Sequence, residues 1–283
     1  MNHKNLIGTA VAAALLFGAQ AVSACAISAW SSATGLSVAD TGEPTAGFLR
    51  TSGRCSLRVA DSNGATGRFV TDTTPNNEAS YRVRFYYYTG NITAGTADIF
   101  QARNTGGTNI IRVTHDGNQL SFTTNTGGAA QTVTVADNRY YSIELNWAAA
   151  AGTGSMTGTV TGNSGSAFPA AVAGTVNFAN LNNAADSITE ARMGLIAGSP
   201  TVGSAVYFDE FDSRRTQSPG RLCRGDSNGN GSITSADRGA ITSELAIPPT
   251  IAAGQPDCNE TGNVSATDRS CVTALLAAFA SCN

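Results

Sequence analysis

Apolar and polar residues alternate through most of the chain between residues 25 and 216, a pattern typical of strands with one buried face. The alternation is clearest in 81–88 (Tyr-Arg-Val-Arg-Phe-Tyr-Tyr-Tyr) and in 140–147 (Tyr-Tyr-Ser-Ile-Glu-Leu-Asn-Trp). Further runs that predict strands are 55–60, 98–103, 109–114, 120–123, 132–135, 156–161, 192–197 and 205–211. About ten strands separated by Gly- and Asn-rich turns predict an antiparallel β-sandwich, and its size favours a jelly roll.

The first 24 residues predict a secretory signal. A short polar start with Lys4 precedes an apolar run over 6–17 and the small residues 21–24 (Ala-Val-Ser-Ala). The run is too short to span a bilayer, and cleavage is expected after Ala24. The protein is therefore expected to be secreted, with no transmembrane segment. Residues 22–25 also resemble a bacterial lipobox, so lipid anchoring at Cys25 is the alternative.

Six cysteines favour a disulfide framework in an exported chain, because their number is even. Lipidation of Cys25 would leave five. Their distribution favours one bridge near the start and two bridges in the tail, whose connectivity stays open. The cysteines are Cys25 and Cys55 near the start, and Cys223, Cys258, Cys271 and Cys282 in the tail.

Composition and charge narrow the possible functions. The 283 residues carry a formal net charge of -3, and their 41% hydrophobic and 13% charged residues are typical of a folded chain. The absence of a basic cluster argues against nucleic-acid binding. Lys4 is the only lysine, and His3 and His115 are the only histidines. Lysine-based catalysis, a Ser-His-Asp triad and a multi-histidine metal site are therefore not expected.

Two twelve-residue segments of the tail repeat one pattern. Residues 226–237 read Asp-Ser-Asn-Gly-Asn-Gly-Ser-Ile-Thr-Ser-Ala-Asp, and residues 257–268 read Asp-Cys-Asn-Glu-Thr-Gly-Asn-Val-Ser-Ala-Thr-Asp. Each has oxygen-bearing side chains at positions 1, 3 and 5, glycine at 6 and aspartate at 12. Calcium prefers about six to eight oxygens, and a loop of this spacing turns alternate residues toward one ion. The repeat therefore predicts two calcium ions.

A helix is predicted after each loop, from Asp237 to about Ala246 and from Asp268 to about Ala280, but glycine and proline oppose a helix before either loop. This loop-then-helix repeat resembles the type I dockerin, which attaches secreted polysaccharide-degrading proteins to cohesins. The resemblance implies a cohesin-like or surface partner, contacted at positions 10 and 11: Ser235, Ala236, Ala266 and Thr267. It implies the following calcium ligands: Asp226, Asn228, Asn230, Ser232, Thr234 and Asp237, then Asp257, Asn259, Thr261, Asn263, Ser265 and Asp268.

The β-rich part, through the segments 53–59, 140–147 and 205–212, resembles the concanavalin A-like lectin/glucanase group, specifically its laminin-G-like members. Glycosidases usually need two facing carboxyl groups. Laminarinase-type members of the group carry Glu-x-Asp-x-x-Glu, which is absent from this sequence. The nearest acidic cluster is 209–212, whose acids are expected to bond to neighbouring loops or to pair with Arg214 and Arg215. The alternatives are a calcium or sugar site and a catalytic site. Glu210 and Asp212 are predicted to share one face of the strand.

Polysaccharide binding without hydrolysis is also considered for this part of the chain. Exposed aromatic faces bind sugars, and Tyr86, Tyr88 and Tyr140 belong to the set predicted to face outward. The favoured alternative is that each of these tyrosines caps the edge of the sheet. His115, beside a turn, is predicted at the surface.

The fold class expected is mainly β, an antiparallel jelly-roll sandwich followed by a small α-helical, dockerin-like (F-hand) calcium module. The expected division is a signal over 1–24, the sandwich over 25–216, a linker over 217–222 and the calcium module over 223–283. A non-catalytic, carbohydrate- or surface-binding protein with an attachment module is the function expected. The alternatives are a polysaccharide hydrolase or lyase, and a structural surface protein whose calcium module only stabilises it.

Overall fold

A computed structural model describes residues 30–35, 38–42, 51–53, 55–59, 67–162, 171–247, 249–250 and 252–278. The predicted signal, Cys25 and Cys282 lie outside these residues. The described part contains sixteen strands and two helices. Their bounds are β1 (Ser32–Thr34), β2 (Val38–Gly42), β3 (Cys55–Val59), β4 (Arg68–Asp72), β5 (Ser80–Tyr88), β6 (Asn91–Ala94), β7 (Thr96–Arg103), β8 (Asn109–Asp116), β9 (Gln119–Thr124), β10 (Gln131–Thr134), β11 (Tyr140–Ala148), β12 (Gly154–Gly162), β13 (Val172–Leu181), β14 (Glu190–Gly198), β15 (Thr201–Ser204), β16 (Val206–Arg214), α1 (Ser235–Glu244) and α2 (Ala266–Ala277).

The strands form a sandwich of two seven-stranded sheets. One sheet has the order β1-β4-β14-β7-β8-β9-β10, and the other has the order β13-β12-β11-β5-β16-β3-β2. All pairings between these strands are antiparallel, and β6 and β15 form a separate two-stranded ribbon. The prediction of a mainly β, antiparallel sandwich is confirmed.

The inward sides of β5 and β11 show why the alternating pattern produces this fold. Leu145 lies opposite Val83 and Ile143 lies opposite Phe85, and all four side chains are fully buried between the sheets. Each large apolar side chain removed from water contributes about 1.5–3 kcal/mol. A shift of one residue would turn these side chains outward, so the hydrophobic pattern sets the register.

The outward sides of the same strands differ from the prediction. Tyr86, Tyr88 and Tyr140 were expected to face solvent, but they are 1%, 7% and 1% exposed. Together with Tyr207 they form a second aromatic cluster, against which Leu222 packs. These tyrosines are buried because the segment that leaves the sandwich folds back across the sheet.

The predicted linker lies on the outward face of the second sheet. The Ser218 hydroxyl donates to Asn146 Oδ1 at 2.6 Å, and the Gly220 N–H donates to Glu144 Oε2 at 2.8 Å. The Leu222 N–H donates to the Tyr86 hydroxyl at 3.1 Å. Residues 218–222 are therefore part of a packed interface.

His115 also departs from its prediction, because it is fully buried rather than at the surface. It is the penultimate residue of β8, and its Nδ1 lies 2.7 Å from the Tyr87 hydroxyl. Nε2 lies 2.8 Å from the Gly117 carbonyl oxygen. Burial lowers the pKa of His115 to about 4, so the ring is neutral at physiological pH.

Both predicted helices of the tail are present, and each begins two residues before the aspartate that the sequence indicated. The side chains of Thr234 and Ser265 accept backbone N–H groups at the helix starts, and Asp237 and Asp268 complete two capping boxes. The helices contact each other. Between them lies a small core of Ile241, Cys258, Cys271, Val272 and Leu275.

A disulfide joins Cys258 to Cys271 inside the tail, which confirms a bridge in this region. Cys55 and Cys223 are also disulfide-bonded. The favoured Cys25–Cys55 pairing involves a residue outside the described part. Among the described helices, none has the length and apolar character needed to cross a membrane.

Candidate functional site

The first aspartate of each tail loop holds the middle of its own loop. In loop one (226–237), Asp226 Oδ1 accepts the Asn230 N–H at 3.0 Å, and Oδ2 accepts the Gly231 N–H at 2.7 Å. In loop two (257–268), Asp257 makes the equivalent bonds to Thr261 and Gly262 at 3.0 and 2.6 Å. The two copies therefore share one local geometry.

The last aspartate of each loop closes it in the same way. Asp237 Oδ1 accepts the Asn228 N–H at 3.0 Å, and Oδ2 accepts the Thr234 N–H at 2.7 Å. Asp268 accepts the N–H groups of Asn259 and Ser265 at 3.0 and 2.8 Å. Asp237 and Asp268 are both fully buried. Each loop thus carries two acidic side chains that its backbone N–H groups hold in place.

The glycines at position 6 permit the turn that this arrangement needs. Gly231 and Gly262 have φ values of 84° and 90°, in the region where a Cβ is strained. In loop one, Asn230 Oδ1 accepts the Ser232 N–H at 2.9 Å. In loop two, the Thr261 hydroxyl donates to Asn259 Oδ1 at 2.8 Å. The side chains at positions 3 and 5 therefore contribute to the loop conformation.

The donor chemistry of both loops fits a hard cation such as calcium. Every ligand that the sequence indicated is a carboxylate, amide, hydroxyl or backbone oxygen, and calcium prefers oxygen. A carboxylate offers about four acceptor positions, so the Asp226 and Asp257 bonds leave capacity for an ion. Among the described residues, no group of three or more His, Cys, Asp or Glu side chains that could hold a metal ion is found. Apart from the two aspartates of each loop, the ligands that the sequence indicated are neutral oxygens.

Loop two shows the electrostatic cost of two buried acids. Burial raises the pKa of Asp257, and the charge of Asp268 raises it further. Burial also raises the pKa of Asp268. A divalent cation between the two carboxylates would stabilise their charged forms.

The loops are joined to each other by backbone hydrogen bonds. The Gly254 N–H donates to the Ser227 carbonyl at 3.0 Å, and the Gln255 N–H donates to the Asp226 carbonyl at 2.8 Å. A Cβ at Gly254 would lie only 2.0 Å from the Asp226 carbonyl oxygen. Only glycine allows the two loop entrances to approach so closely.

The four residues at positions 10 and 11 lie at the surface. Ser235, Ala236, Ala266 and Thr267 are all exposed at the beginnings of the two helices. Thr267 Oγ1 accepts the Asn259 side-chain N–H at 2.8 Å, so this position also touches its loop.

A cavity of about 380 Å³ opens at one end of the sandwich and was not predicted. Its walls include Trp30, Asp72, Asp209, Glu210 and Phe211, which come from both sheets. Trp30 and Phe211 are in ring contact, with centroids 4.9 Å apart. No short sequence motif contains this set, because its members are separated by up to 181 positions in the chain.

Asp209 has a structural role at the cavity wall. Its Oδ2 accepts the N–H groups of Thr51 and Ser52 at 2.6 and 3.1 Å, and its Oδ1 accepts the Glu210 N–H at 2.9 Å. Burial, and then the charge of Glu210, raise the pKa of Asp209 to about 7 against these hydrogen bonds. The carboxylate thus ties the 51–52 segment to β16, so Asp209 bonds to a neighbouring loop as expected.

A bulge changes the predicted alternation at this point. The pairing of β16 with β5 shifts between Asp209 and Asp212, and Glu210 has a φ of 52°. Glu210 lines the cavity and lies 3.8 Å from the Arg84 guanidinium, whereas Asp212 pairs with Arg214 at 2.8 Å. Arg215 pairs instead with Glu78 at 2.9 Å. Regular alternation therefore does not describe Glu210 and Asp212.

No protein-family model matches the chain. No curated protein is significantly similar to it. Solved structures show likeness at low sequence identity. One is a cellulose-induced protein, Cip1, with 17% identity and a TM-score of 0.45, covering 65% of this chain and 88% of that chain.

Two further structures share a smaller part of their length with this chain. One is a structure of botulinum neurotoxin type C, whose cell entry depends on interaction with two ganglioside molecules. It has 12% identity and a TM-score of 0.42, and the match covers 66% of this chain and 43% of that chain. The other is a sialidase (12% identity, TM-score 0.39, 64% of this chain and 19% of that chain). The chain spans less than half the length of either protein.

Proposed function

We propose that this protein is an exported, non-catalytic protein whose tail binds two calcium ions and attaches a carbohydrate-binding sandwich to a cohesin-like or surface partner. The observation that carries the proposal is the shared geometry of the loops. In both copies, two buried aspartates accept the same set of backbone N–H groups. Two matching copies in one tail are better explained by a common ligand than by two independent turns.

The ions would be held by the side chains at positions 1, 3, 5, 9 and 12 and by the carbonyl at position 7. These residues are Asp226, Asn228, Asn230, Thr234, Asp237 and the Ser232 carbonyl in loop one, and Asp257, Asn259, Thr261, Ser265, Asp268 and the Asn263 carbonyl in loop two. Calcium would supply positive charge to two buried acids in each loop. With only two acidic ligands each, the sites fit the weak range of extracellular modules, with Kd values of about 10⁻⁴–10⁻³ M.

Metal stoichiometry tests this proposal. Native mass spectrometry and equilibrium dialysis of the mature protein in millimolar calcium should detect two bound ions. Asp237→Asn and Asp268→Asn should each leave one ion, because each removes the closing carboxylate of one loop. A wild-type protein that remains metal-free under these conditions would refute the calcium proposal.

The cavity is the best candidate for a glycan site on the sandwich. Sugar sites combine an aromatic surface with hydrogen-bonding groups, and the cavity offers Trp30 and Phe211 beside Asp72 and Glu210. The tyrosines that the sequence suggested for this purpose are buried under residues 218–222. The proposed sugar contacts therefore move from the sheet face to the end of the sandwich.

Substitution of Trp30 by alanine is expected to weaken glycan binding about tenfold or more, because the aromatic wall of the cavity is lost. The measurement is calorimetric titration with a ligand identified on a glycan array. Leu245→Ala, at an exposed position of the tail, is the control and should bind as the wild type does. Equal affinity of Trp30→Ala and wild type would exclude the cavity as the site.

Three carboxylates line the same cavity, so the hydrolase or lyase alternative is tested with the same ligands. Asp209 already accepts three backbone N–H groups. This arrangement favours a structural role over acid–base catalysis. We expect no release of reducing or unsaturated sugars. Release that is abolished by Glu210→Gln would instead support the enzyme.

A further inference from the structure

The two calcium loops have different surroundings. In loop one, residues 229–232 are exposed. In loop two, Glu260 at the position equivalent to Gly229 is 3% exposed, and Gly262 is also buried. The first aspartates are both buried, and so are the last. The difference is therefore in what covers the outer side of each loop.

The two loops differ most informatively in the residue at position 4. Gly229 in loop one has a φ of 74°, which costs glycine little. Glu260 in loop two has a φ of 58°, where a side chain is unfavourable, and its carboxylate is buried. This carboxylate forms an ion pair with Arg221. The ion pair offsets a conformation and a burial that would otherwise destabilise the loop.

Arg221 belongs to the segment that lies on the sandwich. Its neighbours on both sides bond to the second sheet, Gly220 to Glu144 and Leu222 to Tyr86. A second contact comes from the entrance of loop two, where the Gly254 carbonyl accepts the Gly53 N–H at 3.3 Å. Loop two therefore contacts the segment that lies on the sandwich, and its entrance contacts residue 53.

The electrostatics of the tyrosine cluster show the same proximity. Burial raises the pKa of Tyr140, and the charges of Asp209 and Asp257 add to this effect. Asp257 is the first residue of loop two, and Asp209 belongs to β16 of the sandwich. This agrees with the Arg221–Glu260 ion pair and the Gly53–Gly254 hydrogen bond, which connect loop two and its entrance to the sandwich side of the molecule.

We infer that loop two docks the tail on the sandwich in a calcium-dependent way, and that loop one faces outward and is available to an attachment partner. This inference rests on the proposed calcium sites. Glu260 lies between the proposed ligands Asn259 and Thr261. An ion that holds positions 3 and 5 would fix the backbone at position 4 and present the Glu260 carboxylate to Arg221. Without the ion, the backbone at position 4 would relax, and the contact between the tail and the sandwich would loosen.

Amide hydrogen exchange of the full chain, followed by NMR, tests the inference at three contacts. The reporters are the N–H groups of Gly53, Gly220 and Leu222. Asp268→Asn and Asp237→Asn form a matched pair, because both replace the fully buried closing aspartate of a loop. In excess calcium, Asp268→Asn should increase exchange at the three reporters about tenfold or more, whereas Asp237→Asn should increase it much less, because loop one reaches the reporters only through its bonds to Gly254 and Gln255.

A third variant separates docking from metal binding. Glu260→Gln removes the charge that pairs with Arg221 but no proposed ligand, so it should retain two calcium ions and still exchange faster at Gly220 and Leu222. Amides of the central strand β7 are the folding control and should stay protected in every variant.

Two results would overturn the inference while the calcium proposal stands. One is a wild-type protein that binds two ions but exchanges equally at the three reporters with and without calcium. The other is equal loosening by Asp237→Asn and Asp268→Asn. Absence of bound calcium in the wild type would overturn the proposed function and this inference together.

Discussion

Removal of calcium by excess chelator is expected to unfold most of residues 223–278 while the sandwich stays folded. Among the described residues, the tail has a core of five buried side chains, whereas the sandwich has thirty-five. So small a core supplies little of the free energy of folding. Two buried acids per loop would also lose their counter-charge. At a calcium concentration 100 times Kd, each site contributes about 2.7 kcal/mol.

Calorimetry and hydrogen exchange measure this effect together. Two transitions are expected, of which only the lower one moves with calcium concentration, and amide protection in α1 and α2 should disappear with the metal. Magnesium at the same concentration is the control for ionic strength and should protect much less, because it demands a smaller, octahedral site. Tail exchange that is identical in calcium and chelator would contradict the prediction.

Loss of the Cys258–Cys271 disulfide is expected to destabilise the tail by about 3 kcal/mol, the value associated with a closed loop of about 15 residues. The bridge spans 13 positions and ties the second residue of loop two to the middle of α2. Both cysteines are fully buried in the small core. The double variant Cys258→Ser, Cys271→Ser should therefore lower the midpoint of the tail transition and weaken calcium binding at loop two.

Two-site calcium titration of this double variant distinguishes a local effect from a general one. The affinity of loop two should fall about tenfold or more, and that of loop one should fall less, because the bridge does not include it. The sandwich transition serves as the internal control. An unchanged tail transition would mean that the metal and the helix contacts stabilise the tail without the bridge.

The sandwich could be predicted from the sequence because its signal is local and repeated. Strands β5 and β11 each carry alternating side chains over nine residues, and alternation follows directly from strand geometry. The two helices were also predicted, but each begins two residues before the predicted start, next to the capping residues Thr234 and Ser265. The calcium ligands stay a prediction.

The features that could not be predicted depend on contacts between distant segments. Tyr86 and Tyr88 occupy the outward side of β5, but residues about 130 positions later cover them. The polar ring of His115 is accommodated inside the sandwich because Tyr87 and Gly117 offer hydrogen-bond partners. The bulge at Glu210 interrupts a regular pattern at one residue. None of these contacts leaves a periodic signal in the sequence.

The backbone pairing between Asp226–Ser227 and Gly254–Gln255 has a consequence for how such a tail arises. The groups at the entrance of each loop find their partners in the other copy. A single copy would expose them to water and would also lose the contact between α1 and α2. We therefore expect the duplicated pair, and not a single copy, to be the smallest part of the tail that folds stably.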